Sequence, residues 1–552
     1  MPLLTLLENS PQNPLQNLQK NLAGNSSRTS SGNPLRAPLS RAVKWALCSL
    51  LAFLPLPGLA LDLPPTVKHA LAQAGIPRSA IGIYVQETSA GQPLLAVNAG
   101  TGMNPASVMK LLTTFAGLEL LGPAYAWKTE LYADGIVRGD TLHGNLVIKG
   151  YGDPRLNLEN FWLLTRRLRQ TGLREIAGDL VLDSSHFDLP GSDPAAFDGR
   201  PYRAYNVLPE ALMVNYRTLA LRLLPQPESR SVRVMVDPLL PSLDLKNSLT
   251  LTNGACNDWK DALDTDIQSG HGLDGRVSVT LKGSYTFGCG EKTLFLSVHD
   301  TARYTFDLFR QLWEQQGGVL RGNVRRSAAP GGTVPLETHQ SPPLADIVRD
   351  INKFSNNTAA RQLYLTLGLG SEPFRQPQVM PASFSIPYGN GRAAENGTIP
   401  SLDESGENPG QPRATLARSE TAMRQWLASR QLAFPELILE NGSGLSRNER
   451  ISAGNMGRLL LAAFQSPVMP EFVSSLPIAA VDGTMKKRLN RSGAAGQAHI
   501  KTGLLEGVKT MAGYVRDRSG RRSVVVFFIN HPRAGSGQAA MDALLDWVYE
   551  GR

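Results

Sequence analysis

The chain has few of the residues that hold metals or covalent cross-links. Its 552 residues include three cysteines and eight histidines, and these are scattered without the short spacings of metal-binding motifs. We therefore predict no metal site and no cofactor. Aromatic residues make up 7% of the chain. Nucleic-acid binding proteins often group aromatic and basic residues together, and this sequence has no such group. We predict no nucleic-acid partner.

The sequence also lacks an apolar run that would span a bilayer comfortably. The run from Trp45 to Leu54 follows Arg41 and Lys44, and it leads into a small-residue pattern that ends at Ala60. This arrangement is typical of a secretory signal. We predict a disordered extension and signal peptide over residues 1–60, cleavage near Ala60 and a periplasmic location. An uncleaved anchor is the alternative.

Excess charge of one sign is modest. The formal net charge is +9, and the first 60 residues carry five positive side chains and one negative, so removing them leaves +5. A mild positive charge suits contact with an anionic wall polymer and a loose association with a membrane surface.

The loss of Cys48 with the signal leaves Cys256 and Cys289. An even pair in an exported protein favours a disulfide. Two separate buried thiols are the alternative.

Three short strings stand in a fixed order along the chain. They are Ser107-Val108-Met109-Lys110, Ser355-Asn356-Asn357 and Lys501-Thr502-Gly503. Each string is common by chance, but their ordered occurrence is typical of serine acyl-transfer enzymes of the penicillin-recognising type. Together they supply a nucleophile, a base, a proton relay and a strand that binds an oxyanion.

Ser107 and Lys110 are spaced to share one face of a helix that Pro105 opens and that runs to Leu121. Serine alone is a poor nucleophile, and a neighbouring amine accepts its proton when that amine is neutral. Burial and a second cation, Lys501, would both lower the pKa of Lys110. We predict that Ser107 is the nucleophile and Lys110 the base. Taken alone, this string would instead be a helix start with an exposed lysine.

The second string precedes a helical run over residues 359–367. We predict that Ser355 relays a proton to the leaving amine and that Asn357 binds a substrate amide. A plain helix N-cap is the alternative for this string alone.

The third string resembles an edge strand that would pair with an extended peptide. We predict that Thr502, Gly503 and Leu504 contact the substrate, and that Gly503 lets it approach the backbone closely. The N–H groups of Leu504 and Ser107 would form an oxyanion hole.

On these strings the chain resembles the class C low-molecular-mass penicillin-binding proteins, the D-alanyl-D-alanine carboxypeptidase/endopeptidase family. Residues 152–154, 178–183, 441–447 and 481–484 also resemble landmarks of that family, and the similarity runs from about residue 66 to 548. The resemblance implies an enzyme that acts on peptidoglycan stem peptides and cross-bridges through an acyl-enzyme on Ser107. It also implies that β-lactam antibiotics are covalent inhibitors.

The resemblance places Arg447 and Asp183 beside a diaminopimelate side chain. Arg447 suits its carboxylate and Asp183 its ammonium. Glu506, where related enzymes can carry Gln, would add a second anion for that ammonium. The alternatives are that Asp183 only ends a strand, that Arg447 forms a surface ion pair and that Glu506 is solvated in a turn.

The implied fold class is α/β (α+β): a transpeptidase/β-lactamase-like domain with an antiparallel sheet flanked by helices, plus a large inserted domain with a nested β-rich subdomain. The gap between the first two strings is too long for a compact single domain. We predict a catalytic domain over 61–130 and 335–552, an insertion over 131–334 and a nested subdomain over about 220–292. Residues 370–413 lack an apolar pattern and are predicted to form a mobile surface excursion.

Two other functions share these strings. A serine β-lactamase would have to hydrolyse its acyl-enzyme quickly, and the large insertion argues against it. A non-catalytic peptidoglycan-binding protein on the same scaffold is disfavoured because the catalytic set is intact. The strings leave open whether the enzyme trims terminal D-Ala, cuts cross-bridges or does both.

Overall fold

The computed structural model describes residues 62–256, 258–269, 275–370 and 413–551. The predicted signal peptide, with its cleavage site near Ala60, lies outside the described residues, and so does nearly all of the predicted excursion over 370–413. The described residues belong to one packed unit. No helix in this part of the chain has the length and apolar character needed to cross a membrane.

The strands that the structure describes are short to medium in length. In chain order they are β1 (Ile81–Glu87), β2 (Leu95–Val97), β3 (Gly102–Met103), β4 (Lys128–Arg138), β5 (Thr141–Gly150), β6 (Glu175–Ile176), β7 (Leu180–Asp183), β8 (Leu219–Gln226), β9 (Ser231–Asp237), β10 (Leu243–Asn247), β11 (Thr250–Thr252), β12 (Leu263–Ser269), β13 (Val277–Thr286), β14 (Lys292–Leu296), β15 (Val319–Leu320), β16 (Val324–Arg326), β17 (Glu337–Gln340), β18 (Ile451–Ser452), β19 (Ala498–Leu505), β20 (Val508–Arg516) and β21 (Arg522–Asn530).

The α-helices over the same residues are α1 (Pro65–Ala74), α2 (Lys110–Leu120), α3 (Leu158–Gln170), α4 (Thr301–Gln315), α5 (Leu344–Phe354), α6 (Asn357–Leu367), α7 (Leu416–Ser429), α8 (Ala453–Gln465), α9 (Met469–Ser474) and α10 (Gln538–Tyr549).

The first sheet combines strands from both ends of the described chain. Its order is β19-β20-β21-β1-β2, and each pair is antiparallel. Helices cover both faces, so the central strand β21 is buried on both sides rather than alternating with polar residues. Its odd-numbered residues pack with α1 and α10, and its even-numbered residues pack with α2 and α8: Val525, Phe527 and Ile529 on one face, Val524, Val526 and Phe528 on the other.

Two further sheets lie between α2 and α5 in the chain. One has the order β15-β6-β5-β4-β17, with β7 paired to β5 and β16. The other has the order β10-β13-β11-β9-β8-β14, with β12 paired to β13, and it is nested between β7 and α4. Leucine, phenylalanine and tryptophan side chains of α3 and α4 share one apolar core with both sheets. The proposed domain limits, 131–334 and about 220–292, fall near the ends of these sheets and stay predictions.

The helical run expected over residues 359–367 lies within α6. The helix expected from Pro105 to Leu121 differs at its start, because Ala106–Met109 forms a 3₁₀ turn before α2 begins. Ala106 has a φ of 45° in that turn, which is incompatible with the first residue of a regular α-helix.

The nested sheet carries the covalent cross-link. Cys256 and Cys289 are joined in the structure, with a sequence separation of 33 residues. The bond ties the segment after β11 to the turn before β14.

Replacing both cysteines by alanine should lower the free energy of unfolding of this sheet by about 3–4 kcal/mol, which is the chain-entropy value for a closed loop of this length. Because the bond lies within the nested sheet, hydrogen exchange should accelerate there and stay unchanged in β19 to β21. Alkylation and intact-mass measurement of the unreduced protein test the pairing itself. Two free thiols would contradict it.

Candidate active site

The first two strings and a third segment meet at the amine of Lys110. Its Nζ lies 3.0 Å from Ser107 Oγ and 2.7 Å from Asn357 Oδ1. The same Nζ donates a hydrogen bond to the backbone carbonyl of Ser443. The Lys110 side chain is 0% exposed. One buried group therefore links the two strings to the loop over residues 441–447.

The nucleophile sits in a backbone position that two glycines make possible. In the 3₁₀ turn Ala106–Met109, side chains three positions apart are nearly eclipsed, which brings Ser107 over Lys110. A Cβ placed on Gly503 would lie 2.9 Å from the backbone nitrogen of Ser107, and one on Gly444 would lie 1.8 Å from the Ala106 carbonyl oxygen. Any side chain larger than hydrogen would push strand β19 or the 441–447 loop away from this turn.

A second lysine faces the second string. Lys501 Nζ lies 2.9 Å from Ser355 Oγ and 2.6 Å from the Thr502 carbonyl oxygen. Ser355 has a left-handed φ of 58° and ends α5. The side chain of Asn356 caps α6 by accepting a backbone N–H of its first turn. The helix-cap alternative thus applies to the middle residue of the string, and the side chains of Ser355 and Asn357 contact the two lysines.

The surroundings lower the pKa of both lysines. Burial lowers the pKa of Lys110 well below its ordinary value, the charge of Lys501 lowers it further, and the buried carboxyl of Glu449 acts in the opposite direction. Burial lowers the pKa of Lys501 to about 7. A lysine with a lowered pKa is neutral for part of the time near neutral pH, so it can accept the proton of a serine hydroxyl.

Strand β19 forms one edge of the first sheet. A single bridge, from Ile478 to His499, pairs with it near its start. Thr502, Gly503 and Leu504 follow along the same edge, and the hydroxyl of Thr502 lies 2.8 Å from that of Thr484. The predicted substrate strand is therefore an edge strand beside the Ser107 turn.

Arg447 and Glu506 are brought together at the surface. Arg447 Nη1 donates to the Glu506 carbonyl oxygen at 3.0 Å, and Nη2 lies 3.5 Å from Glu506 Oε2. The guanidinium also lies 4.9 Å from the centre of the Phe197 ring. The Glu506 side chain is 92% exposed, so this ion pair adds little stability and its two charges are accessible to a ligand.

Asp183 is not brought to the same place. It ends β7 and is 1% exposed. Its carboxylate accepts the backbone N–H groups of Ser185 and Ala329, and it lies 3.6 Å from Lys149 Nζ. These contacts are internal to the second sheet and its connections. The expected contact of Asp183 with a substrate ammonium has no support in this arrangement and stays a prediction.

Sequence reasoning missed the groups that hold the 441–447 loop. The Glu449 carboxylate accepts the backbone N–H groups of Glu440, Asn441 and Gly442 at 3.2, 3.0 and 3.2 Å. Burial raises the pKa of Glu449, although these hydrogen bonds act in the opposite direction. Ser443 belongs to this loop, so the hydrogen bonds to Glu449 also hold the Ser443 carbonyl that accepts from Lys110. The string over 441–447 signalled a loop of interest but assigned no role to Ser443 or Glu449.

A loop over residues 197–206 was also missed. Asn357 Nδ2 donates to the Tyr205 carbonyl oxygen at 3.3 Å, and Asp198 accepts hydrogen bonds from the Tyr205 hydroxyl at 2.8 Å and from Asn206 Nδ2 at 2.7 Å. Since Phe197 contacts Arg447, this loop borders the site on that side. Irregular loops of this kind carry no periodic pattern that would have marked it.

The fold and the two-lysine site define a serine acyl-transfer enzyme of the penicillin-recognising type. The chain belongs to the D-Ala-D-Ala carboxypeptidase 3 (S13) family, whose profile matches residues 63–381 and 403–549. This match confirms the predicted family and enzyme class.

Individual relatives agree with the family assignment. The chain is 25% identical over 498 residues to the D-alanyl-D-alanine carboxypeptidase of Actinomadura sp. (strain R39), covering 87% of this chain and 83% of that protein. It is 24% identical over 456 residues to the D-alanyl-D-alanine carboxypeptidase DacB of Haemophilus influenzae, covering 82% of this chain and 85% of that protein. The crystal structure of penicillin binding protein 4 from Haemophilus influenzae superposes with a TM-score of 0.67 at 22% identity, covering 88% of this chain and 99% of that one. The superposition confirms the predicted fold class.

Acylation of Ser107 should become faster as the pH rises through the pKa of Lys110, because only the neutral amine accepts the serine proton. Replacing Lys501 by glutamine removes a cation that lowers that pKa. The acid limb of the pH–rate profile should therefore move to higher pH, and the maximal rate should fall.

Stopped-flow acylation by a chromogenic β-lactam measures both quantities, with the exposed Lys68→Gln on α1 as the control. An acid limb that stays in place in Lys501→Gln would show that the charge of Lys501 does not act on Lys110.

Proposed function

We propose that this protein is a serine-type D-Ala-D-Ala carboxypeptidase that also acts as an endopeptidase on peptidoglycan cross-bridges, through an acyl-enzyme on Ser107. The observation that carries this proposal is the buried Lys110 amine, 3.0 Å from Ser107 Oγ, in a member of the carboxypeptidase family. Stem peptides ending in D-Ala-D-Ala and the cross-bridges made from them are the substrates.

In the acylation step, Ser107 Oγ attacks the carbonyl carbon of the penultimate D-Ala and passes its proton to the neutral Nζ of Lys110. The oxygen of that carbonyl becomes an anion, which the N–H groups of Ser107 and Leu504 would stabilise. Removing one such donor typically raises the barrier by about 3–4 kcal/mol. Asn357, whose Oδ1 accepts from Lys110, would orient the substrate amide through its Nδ2.

The tetrahedral intermediate then breaks its C–N bond, and the departing amine needs a proton. Ser355 supplies it, and Lys501, which donates a hydrogen bond to Ser355 Oγ, passes its own proton to Ser355 in return. Water next attacks the acyl-enzyme and gives a proton, through Ser355, to the now neutral Lys501. The ester C–O bond breaks, the free acid leaves, and protonated Lys110 returns its proton to Ser107 Oγ.

β-Lactam antibiotics fit the same steps up to the point at which the leaving group departs. Opening of the ring forms the ester with Ser107, but the amine stays tethered to the acyl group and blocks the approach of water. A solved structure of penicillin binding protein 4 from Haemophilus influenzae contains a β-lactam. For this chain we propose β-lactams as covalent inhibitors on the grounds of the Ser107 geometry.

Peptidoglycan lies outside the cytoplasmic membrane, so the proposed substrate requires export. The predicted signal peptide, with cleavage near Ala60, would deliver the protein to the periplasm. The Cys256–Cys289 bond suits that oxidising compartment. A loose association with the membrane rests only on the mild positive charge of the chain.

The Ser107→Ala variant should lose labelling by fluorescent penicillin and should hydrolyse D-Ala-D-Ala peptides at no more than background rate. Wild-type protein should form an adduct stable enough to detect by intact mass. Rapid turnover of penicillin by the wild type would favour a β-lactamase, and an absence of labelling would favour a binding protein. An adduct in Ser107→Ala would exclude Ser107 as the nucleophile.

We also propose that Arg447 binds the carboxylate of a diaminopimelate side chain in the stem peptide. Its guanidinium suits a two-pronged hydrogen bond with a carboxylate. The nearby anions Glu506 and Asp198 suit the ammonium of the same side chain. Glu506 contacts Arg447 directly, and Asp198 follows Phe197, on which Arg447 stacks. Asp183 is a weaker candidate for the ammonium because its carboxylate is buried.

Arg447→Ala should lower kcat/KM for a diaminopimelate peptide by a factor equivalent to about 1.5–3 kcal/mol, which is typical of a hydrogen bond to a charged group. A peptide with an uncharged side chain at that position should be cleaved at the wild-type rate. Arg310→Ala, which removes an exposed arginine on α4, is the matched control. Equal losses on both peptides would mean that Arg447 supports the general site, and the side-chain proposal would fail.

A further inference from the structure

A groove of about 340 Å³ opens next to Ser355. One wall comes from the end of α5 and the other from the segment after Ile478. The charged and apolar side chains that line it include those of Arg349, Lys353, Phe354, Val481, Asp482 and Lys486. None of them takes part in the acylation chemistry described above.

The position of the groove relates it to the leaving group. Phe354 directly precedes Ser355, which is the proposed donor of the proton to the departing amine. On the other wall, Val481 and Asp482 precede Thr484, whose hydroxyl lies 2.8 Å from that of Thr502 on the substrate strand. Residues adjacent in the chain to Ser355 and to Thr484 therefore line the groove.

The walls are held by their own ion pair. Lys353 Nζ donates to Asp482 Oδ2 at 2.7 Å, and Asp482 Oδ1 accepts the Ile478 N–H at 2.8 Å. A Cβ on Gly483 would lie 2.6 Å from the Lys353 carbonyl oxygen, so the segment crosses the end of α5 in close contact. Lys353 and Asp482 therefore have their hydrogen-bond partners within the walls, and these contacts fix the shape of the groove.

The remaining charges give the groove a positive character. Asp350 is paired with Arg155 at 3.2 Å. Within the described ranges, neither Arg349 nor Lys486 has a carboxylate at ion-pair distance, and both side chains are exposed. Two cations are therefore available to a negatively charged ligand.

The groove also offers apolar surface. Phe354 is 70% exposed and Val481 is 53% exposed, and they lie on opposite walls. An extended peptide with small side chains would cover both, and its carboxylate would reach the cations. A single departing D-Ala, with one methyl group and one carboxylate, is too short to occupy the site beside Ser355 and the groove together.

We propose that this groove binds the second stem peptide of a cross-linked substrate, which is the leaving group in the endopeptidase reaction. Phe354 and Val481 contact its backbone and methyl groups, and Lys486 and Arg349 bind its carboxylate. This inference rests on the proposed function, and it assigns the groove to the cleavage of cross-bridges rather than to the trimming of terminal D-Ala.

The test compares two substrates at low salt, a cross-linked peptide dimer and a single stem peptide ending in D-Ala-D-Ala. Lys486→Glu should lower kcat/KM for the dimer on the order of five- to tenfold, because an attraction between exposed charges becomes a repulsion. It should change kcat/KM for the single stem by less than about twofold. The adjacent exposed Lys487→Glu alters the same net charge outside the groove and should leave both substrates at the wild-type rate.

Phe354→Ala should show the same preference for loss on the dimer, with the rate of penicillin labelling reporting whether Ser355 is still in place. Raised salt should reduce the wild-type rate on the dimer more than on the single stem, since it screens the ion pair.

Equal losses on both substrates, or no loss on the dimer in Lys486→Glu, would overturn the inference while leaving the proposed function intact. A wild-type enzyme that cleaves the single stem but not the dimer would also overturn it. A wild-type enzyme that cleaves neither peptide would refute the proposed function itself.

Discussion

The buried amine of Lys110 is the interaction on which the rest of the site depends. A lysine taken out of water loses its hydration, and the loss is tolerable only where hydrogen-bond acceptors replace it. Lys110 obtains three acceptors: Ser107 Oγ from its own turn, and Asn357 Oδ1 and the Ser443 carbonyl from two distant segments. Satisfying this one side chain therefore assembles the site, and the burial that demands the contacts also produces the neutral amine that the chemistry uses.

The same reasoning explains the contacts that hold the 441–447 loop against Lys110. The Ser443 carbonyl can serve as a fixed acceptor because Glu449 binds three consecutive backbone N–H groups at the start of its loop. Thr113, one turn further along α2, donates to the Gly442 carbonyl at 2.6 Å. The nucleophile helix and the loop are thus bound to each other at two points, and the loop cannot move without breaking both contacts. The Glu449 carboxylate also offsets part of the positive charge that the two lysines and Arg361 bring into the interior.

Short sequence patterns were enough to predict much of the fold and the side chains at the centre of the site, but not the backbone groups around them. The helical run over 359–367 formed as expected, and the helix expected from Pro105 to Leu121 formed apart from the 3₁₀ turn at its start. The three strings placed Ser107, Lys110, Ser355, Asn357 and Lys501 because their chemistry depends on short spacings. Contacts made by backbone carbonyls, such as those of Ser443 and Tyr205, leave no trace in residue type. The placement of Asp183 shows the converse: a carboxylate at a strand end looks the same in sequence whether it faces a ligand or, as here, two backbone N–H groups.

The strand order of the first sheet also constrains when the active site can form. β1 pairs with β2 close by in the chain, but its other edge pairs with β21, so that Ile81 meets Ile529. During synthesis the first strand is made long before its main partner, whereas the hairpins of the second and third sheets can close locally. Non-local pairing of this kind slows folding, and β19, the strand that carries Lys501, joins β1 only through β20 and β21. A chain that ended before residue 522 would lack β21, the one strand that joins β1 to β20 and β19 in this sheet.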